Sequence, residues 1–370
     1  MTARPVDETG KIPDVLTGMT SRQRMYLAAI GVATAVTAIL EYSHQADLAI
    51  FIASGVALGG LAWLVSFATE ALGERFSPAV TGVMQSTLGN LPELFVVLFA
   101  LKAGETTVAQ TSILGSLFAN ALLVLGFVLV AGASKAPDGV MRFHKRLPND
   151  TATLLLLASF IIVVLDLSEG VSDRASQHQL EISVIGAICL LLLYGFWLWG
   201  YLRMPCEPDQ AGVKPAEHHV PLTASIGLLA LAGVGAAFVS EWLVGSLDTA
   251  VGELGISKAF TGLVLVAIAG NAVENVVGIA LAAKGKADLA ISVVKNSVAQ
   301  IAVFLFPALV LLSLPFESRL TFVLAPVFAG ALVLTALAVW QVTGDGEATA
   351  FEGWALILLF VVLATLAWYE

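Results

Sequence analysis

Long uninterrupted apolar runs restrict this chain to one broad fold class. Most of these runs approach the ~20 residues that a helix needs to cross the hydrocarbon core of a bilayer, and at this length only a helix satisfies its own backbone hydrogen bonds in lipid. We therefore predict an all-α integral membrane protein of about eleven spans. The predicted helices are Met25–Leu40, Leu48–Ala71, Ser77–Leu101, Val108–Ala133, Thr151–Leu167, Ile182–Leu202, Leu222–Leu243, Ala259–Ala283, Leu289–Leu312, Leu320–Val342 and Trp354–Trp368.

The composition excludes several other classes. Hydrophobic residues make up 58% of the chain and charged residues 12%, whereas soluble domains average about 45–50% and about 25%. The net charge of −10 and the lack of a basic patch give no sign of a nucleic-acid partner. Cys189 and Cys206 form neither a disulfide framework nor a metal-binding pair. The predicted surroundings are a lipid bilayer, and no cofactor is expected.

Basic residues predict the orientation. With the N-terminus in the cytoplasm, the outside segments hold only four basic residues, and the inside segments hold the other basic residues of the loops and tail. The four are Lys102, Arg174, Lys258 and Arg319. We therefore predict a multi-pass protein of the cell membrane with a cytoplasmic N-terminus. An odd number of helices places the C-terminus on the opposite side.

One short motif occurs twice. Gly-Asn-Leu-Pro-Glu at Gly89–Glu93 and Gly-Asn-Ala-Val-Glu at Gly270–Glu274 are 181 positions apart (270 − 89), and the match continues into the following helices, where Ser116 corresponds to Ser297. The motifs lie on the third and the eighth predicted helix, which are five apart in the helix order, so they cross the membrane in opposite senses. This predicts two inverted five-helix repeats, a common plan of secondary transporters. The predicted segments are a cytoplasmic tail at 1–24, an extra helix at 25–45, the repeats at 46–202 and 222–370, and a cytoplasmic linker at 203–221.

The two motif glutamates, Glu93 and Glu274, are the candidate centre of a site. An ionisable group placed mid-helix in a membrane is costly and normally faces a partner or a water-filled cavity. A structural acid paired with a base is the alternative, but symmetric placement favours one shared site. Each glutamate shares a helix face with an asparagine three positions earlier and a glycine four positions earlier. These supporting residues are Asn90, Asn271, Gly89 and Gly270.

The helices that follow the motifs add polar side chains at helical spacing. Hydrogen bonds between helices are one interpretation of them. The other is a cation site, because carboxylate, amide and hydroxyl oxygens are the ligands that hard cations prefer, and Ca²⁺ takes about 6–8 of them. The polar residues are Ser112, Ser116, Asn120, Asn296, Ser297 and Gln300.

At these residues the chain resembles the calcium/proton antiporters, the CAX family of the calcium/cation exchanger superfamily. The resemblance rests on TGVMQSTLGNLPELFVVLFALKAG at 81–104 and FTGLVLVAIAGNAVENVVGIALAAKGKADLAI at 260–291. It implies exchange of Ca²⁺ for H⁺, with Glu93 and Glu274 as the central metal ligands and proton-coupling groups. It also implies that Ser116, Asn120, Ser297 and Gln300 occupy the positions of the family's polar motifs.

Two departures from the family pattern mark possible modulators of the site. Asn275 stands where the family usually has histidine, and Lys295-Asn296-Ser297 stands where it usually has Gly-Ser. A lysine at this position has three possible roles: it repels a divalent cation, supplies an internal counter-charge, or extends to the cytoplasmic edge of the membrane.

The sequence favours antiport by alternating access, because a cation and protons would compete for the same two carboxylates. A sodium-coupled exchanger, or an exchanger of another cation such as K⁺, Mg²⁺ or Mn²⁺, remains an alternative on the same fold. An ion channel is a further alternative, although no selectivity loop is recognisable. An intramembrane enzyme is not expected, because no pair of intramembrane aspartates occurs and all five histidines lie in predicted loops. The oligomeric state stays open.

Overall fold

A computed structural model describes residues 19–73, 84, 87–202 and 221–370, apart from the side chains of residues 201 and 272–275. Outside these ranges lie residues 1–18 of the predicted tail, residues 203–220 of the predicted linker, and residues 77–83, 85 and 86 of the predicted helix Ser77–Leu101. The last residues of the predicted tail, 21–24, lie in the first helix.

The described chain is almost entirely helical. Nine of its helices are long and apolar enough to cross a membrane, and a bent pair, α8 and α9, gives a tenth. The bounds are α1 Ser21–Tyr42, α2 Asp47–Gly73, α3 Leu91–Lys102, α4 Thr106–Lys135, α5 Arg146–Val171, α6 Gln179–Leu202, α7 Leu222–Gly245, α8 Leu247–Leu254, α9 Lys258–Gly270, α10 Ala272–Ala283, α11 Ala287–Leu312, α12 Pro326–Thr343 and α13 Ala350–Tyr369. Two short strands, β1 Val140–Arg142 and β2 Glu347–Thr349, pair antiparallel.

Both motif helices are interrupted at the asparagine of the motif. Asn90 (φ −83°, ψ 7°) separates the helical residues 87–89 from α3, and Asn271 (φ −96°, ψ 8°) separates α9 from α10. The mid-helix placement predicted for the glutamates is therefore wrong: Glu93 lies in the first turn of α3. Pro92 explains the first break, because proline has no N–H to continue the helix.

The segment before α12 is extended rather than helical. The predicted helix Leu320–Val342 starts only at Pro326, and residues 319–325 contain no helix. Side chains from α5 and α6 accept hydrogen bonds from backbone N–H groups of this segment, which in a helix would donate to backbone carbonyls. Asp166 Oδ1 accepts from Leu324 N at 2.7 Å, and Ser183 Oγ accepts from Phe322 N at 3.1 Å.

Four close helix pairs combine one helix from the predicted first half with one from the second. α2 packs along α7, and α5 packs along α12. The C-terminal half of α4 packs on α13, and the C-terminal half of α11 packs on α6. The two halves therefore interlock. The centre of the molecule is formed by α4 and α11, because 83% and 78% of their apolar stretches are buried, against 11% for α1.

The connections between helices gather at two opposite ends. At one end, β1 after α4 pairs with β2 before α13, and Asp288 at the start of α11 accepts from the backbone N of His144 at 2.7 Å. At the other end, Lys258 Nζ lies 2.8 Å from Glu105 and 2.6 Å from Asp248. Successive helices that cross a membrane in alternate directions require their connections to lie at two opposite ends in this way.

Candidate functional site

Glu93 lies against the backbone of the second motif. Its side chain is 2% exposed. A Cβ atom added to Gly270 would lie 2.6 Å from Glu93 Oε1 and 2.8 Å from Cδ, which is closer than real side chains approach. The glutamate of the first motif therefore occupies the space that the glycine of the second motif leaves empty. This contact brings together two of the residues that the sequence places in one site.

Asn271 is the hub of a buried polar network that joins three helices. Its Nδ2 donates to Ser116 Oγ at 2.8 Å, and its Oδ1 accepts from Asn120 Nδ2 at 3.0 Å. Asn120 Nδ2 also lies 3.2 Å from Ser297 Oγ. The break after α9 is thereby connected to α4 and α11, and all four predicted side chains are at most 2% exposed.

Several buried side-chain oxygens on α4 and α11 lack a hydrogen-bond donor within the described part of the chain. They belong to the polar residues that the sequence singles out on α4 and α11. Such atoms are costly to bury, and a desolvated cation would satisfy them. The atoms are Oδ1 of Asn120, Oδ1 of Asn296, Oε1 of Gln300 and Oγ of Ser112.

Two of the predicted site residues have side chains outside the described part of the structure. The side chains of Glu274 and Asn275 lie outside the described residues, although both positions belong to the first turn of α10. Asn90 is 3% exposed at the break before α3, and Gly89 is half-buried. Among the described residues, no group of three His, Cys, Asp or Glu side chains lies close enough to hold a metal ion. A cation here would need amide and hydroxyl oxygens in addition to carboxylates.

Lys295 is completely buried. Its Nζ donates to Thr343 Oγ1 at 2.9 Å, and Thr343 in turn donates to the carbonyl of Val339 at 2.7 Å. None of the ion pairs found in the described ranges includes Lys295. The ammonium group is therefore closed off from solvent, and the three predicted roles of Lys295 stay predictions. Its ammonium group is held by the end of α12.

We expect Thr343→Val to lower the stability of the protein. The change removes the hydroxyl that accepts from the buried Lys295, and an unsatisfied buried donor costs about 1–3 kcal/mol or more if charged. Thermal unfolding of the detergent-solubilised protein measures the loss. Thr365→Val is the matched control, because Thr365 donates to the carbonyl four residues earlier in the same way but is exposed. Equal melting temperatures for the two variants would contradict this role of Thr343.

Gly115 was not among the predicted site residues, yet it fixes how closely α4 approaches α9. A Cβ atom at this position would lie 2.2 Å from the carbonyl oxygen of Leu263. Gly262 is equally tight, because its added Cβ would lie 2.1 Å from Thr111 Oγ1. The sequence contained a signal for this position. The residue 181 positions after Gly115 is Asn296, so the first repeat has glycine where the second has a polar side chain.

Tyr194 was also missed. It is 6% exposed on α6, and its hydroxyl lies beside the side chains of Gln300 and Thr87. The signal was a tyrosine that is the only hydroxyl-bearing residue between Val184 and Gly200 of α6. Its contact with Gln300 connects α6 to the polar face of α11.

These features define a class of protein: a multi-pass helical membrane transporter with interrupted helices that meet at a buried, oxygen-rich site. The sequence identifies the family to which the chain belongs. This chain belongs to the sodium/calcium exchanger protein family, whose pattern matches residues 46–202 and 224–369.

Named relatives cover most of the chain. The vacuolar calcium ion transporter of Schizosaccharomyces pombe is 32% identical over 327 residues, which are 86% of this chain and 79% of that protein. The Ca²⁺/H⁺ antiporter ChaA of Bacillus subtilis is 29% identical over 92% of this chain and 98% of its own length.

Two solved structures share the fold. Native YfkE superimposes with a TM-score of 0.77 at 28% identity, over 93% of this chain and 100% of that one. The H⁺/Ca²⁺ exchanger CAX superimposes with a TM-score of 0.73 over 93% of this chain and 89% of that one. At 17% identity this second likeness concerns the fold alone.

Proposed function

We propose that this protein is a secondary active antiporter that exchanges Ca²⁺ for H⁺ at one buried site. The observation that carries the proposal is the position of Glu93, whose carboxyl group is buried against the break in the other motif helix. Amide and hydroxyl oxygens of Asn120, Asn271 and Ser116 lie around that break. A carboxylate among neutral oxygens suits a hard divalent cation. Similar proteins are named as calcium transporters or Ca²⁺/H⁺ antiporters.

Glu93 and Glu274 are the groups we assign to cation binding and proton coupling. Each follows the break in its helix and lies in the first turn of the next helix, where the helix dipole favours a negative charge. A carboxylate removed from water needs either a cation or a proton for compensation. Binding of Ca²⁺ therefore releases protons, and rebinding of protons releases Ca²⁺, so the two ions share the site in alternation. Two protons for one Ca²⁺ would balance the charge.

The remaining predicted residues receive supporting roles. Gly89 and Gly270 leave room for the glutamate of the opposite motif, as the contact of Glu93 with Gly270 illustrates. Asn90 and Asn271 terminate the helix segments. The oxygens of Ser116, Asn120, Ser297 and Gln300 complete the ligand set, and Lys295 and Asn275 modulate the site from its edge.

Two inverted repeats provide the movement in this proposal. Three features support them: the breaks at Asn90 and Asn271 are 181 positions apart, π-helical turns occur at Ala119–Val124 and Ile301–Leu305, and four close helix pairs join the two halves. Rocking of one half against the other would expose the site to each side in turn. We place the N-terminus in the cytoplasm of a cell on the basis of the basic residues.

The test is ⁴⁵Ca²⁺ uptake into proteoliposomes that contain the purified protein and carry an imposed pH gradient. We expect saturable uptake that requires the gradient, does not require Na⁺, and ceases when the gradient is collapsed. Uptake that depends on Na⁺ instead would favour a sodium-coupled exchanger on the same fold. Flux that persists without any opposing ion gradient, and that does not saturate, would favour a channel.

A further inference from the structure

We infer that Asn296 forms an accessory subsite for the divalent cation, together with Gln300, on one side of the central site only. This inference rests on the proposed function and deepens it, since it identifies a residue that acts on the cation before or after the two glutamates. The argument depends on the side chain of Asn296, on its position in α11, and on the residue that takes its place on α4.

Two amide oxygens on one face of α11 have no donor among the residues that the structure describes. Asn296 Oδ1 belongs to a side chain that is 9% exposed, and Gln300 Oε1 to one that is 1% exposed. The residues are four positions apart, so they lie on the same helix face, about 6 Å apart along the axis. Side-chain amide oxygens are ordinary Ca²⁺ ligands, with bonds of about 2.3–2.6 Å. Both side chains are long enough to converge on one ion.

Asn296 lies on one side of the central site. Ser297, the next residue, belongs to the network around Asn271 through Asn120. Asn296 is one turn before Gln300, and therefore nearer the end of the membrane at which α11 begins, close to Asp288 and the paired strands. In the orientation proposed above this end is cytoplasmic. An ion that approaches from it would meet Asn296 before the central site.

The corresponding positions on α4 carry no side-chain amide. The position on α4 that corresponds to Asn296 is Gly115, and the position that corresponds to Gln300 is Ala119. At Gly115 the backbone of α4 lies directly against Leu263, with no room for a side chain. The subsite therefore makes the two access routes unequal, although the repeats that form them are related.

The consequence is a difference in apparent affinity between the two faces. An amide oxygen that replaces part of the hydration shell lets the ion lose water in stages, as the oxygen ligands of selective sites do. The KM for Ca²⁺ on the face where α11 begins should therefore depend on Asn296. The KM on the other face, and the maximal rate, should depend on it much less.

The test compares sided transport by wild type, Asn296→Ala and Asn296→Asp in right-side-out and inverted vesicles. We expect Asn296→Ala to raise the KM for Ca²⁺ roughly five- to tenfold on the face where α11 begins. The reason is that losing one oxygen ligand to a charged ion should weaken binding about as much as losing one hydrogen bond to a charged group. The KM on the other face should change less than about twofold on the same scale. Asn296→Asp should lower the KM on the first face, because a carboxylate binds Ca²⁺ more strongly than an amide.

Controls separate the possible failures. Ser159→Ala removes a buried hydroxyl that donates to Leu155 O on α5, outside the site, and should leave both KM values unchanged. If wild type exchanges Ca²⁺ but Asn296→Ala has wild-type or equally shifted KM values on both faces, the subsite is refuted and the antiporter stands. If wild type does not exchange Ca²⁺ for H⁺, both proposals fail. If Asn296→Ala does not fold, Asn296→Asp decides, and an unchanged or raised KM refutes the subsite.

Discussion

Glu93→Gln is expected to abolish exchange, with a residual rate at least roughly a hundredfold below wild type, because it removes the only described carboxylate at the central site. Glutamine has nearly the same shape, so the contact with Gly270 is retained. It cannot carry a negative charge to the cation and cannot release a proton. Both half-reactions of antiport should therefore fail together.

The measurement is gradient-driven ⁴⁵Ca²⁺ uptake together with proton release from the same proteoliposomes. Glu241→Gln is the control, because Glu241 pairs with Lys102 near the surface and is half exposed. Such exposed pairs contribute little, typically about 0–1 kcal/mol, so this variant should keep most of its activity. Glu93→Asp retains the charge on a shorter side chain and should keep a measurable part of the rate. Wild-type exchange by Glu93→Gln would remove the central assignment and, with it, the proposed coupling.

The helices were largely predictable because apolar runs determine them directly. All eleven predicted runs overlap helices in the described chain, although Ser77–Leu101 is described only at residue 84 and from residue 87 onwards. The failure at Leu320 has a clear reason. Residues 319–325 are apolar enough for a helix, but their backbone N–H groups are satisfied by Asp166 and Ser183, which are distant in sequence.

The candidate site was predictable in its residues and less so in its geometry. The repeated motif pointed to Glu93, Asn271, Ser116 and Asn120, and the structure brings these residues together. Pro92 is a local signal for the first break, whereas the break at Asn271 was not predicted because the second motif has no proline.

Lys295 shows a different limit of sequence reasoning. A lysine near the start of a membrane helix usually extends to the interface, and only the position of Thr343, 48 residues later, shows which group holds its ammonium. A hydrogen bond between distant helices leaves no periodic pattern in the sequence. The contact of Gly115 with Leu263 is of the same kind.

Gly115→Ala is expected to impair both stability and transport, since the added methyl group would lie 2.2 Å, 2.5 Å and 2.6 Å from three backbone atoms of Leu263. Backbone cannot move aside as a flexible side chain can, so α4 must shift away from α9. Overpacking of this kind typically costs about 1–3 kcal/mol. The shift also separates Ser116, the next residue, from Asn271, whose amide is 2.8 Å from its hydroxyl. We expect the exchange rate to fall by roughly tenfold or more, which corresponds to about 1.4 kcal/mol per factor of ten.

Gly233→Ala is the matched control for this prediction. Gly233 lies in α7 with nothing within 4 Å of an added Cβ, so the same change should be neutral or stabilising by roughly 0.5–1 kcal/mol, because alanine favours a helix. Thermal unfolding and ⁴⁵Ca²⁺ exchange of the two variants are measured side by side. If Gly115→Ala keeps the melting temperature and the rate of Gly233→Ala, the close approach of α4 and α9 is not needed to hold the network around Asn271. A lower melting temperature with an unchanged rate would show that the contact serves stability alone.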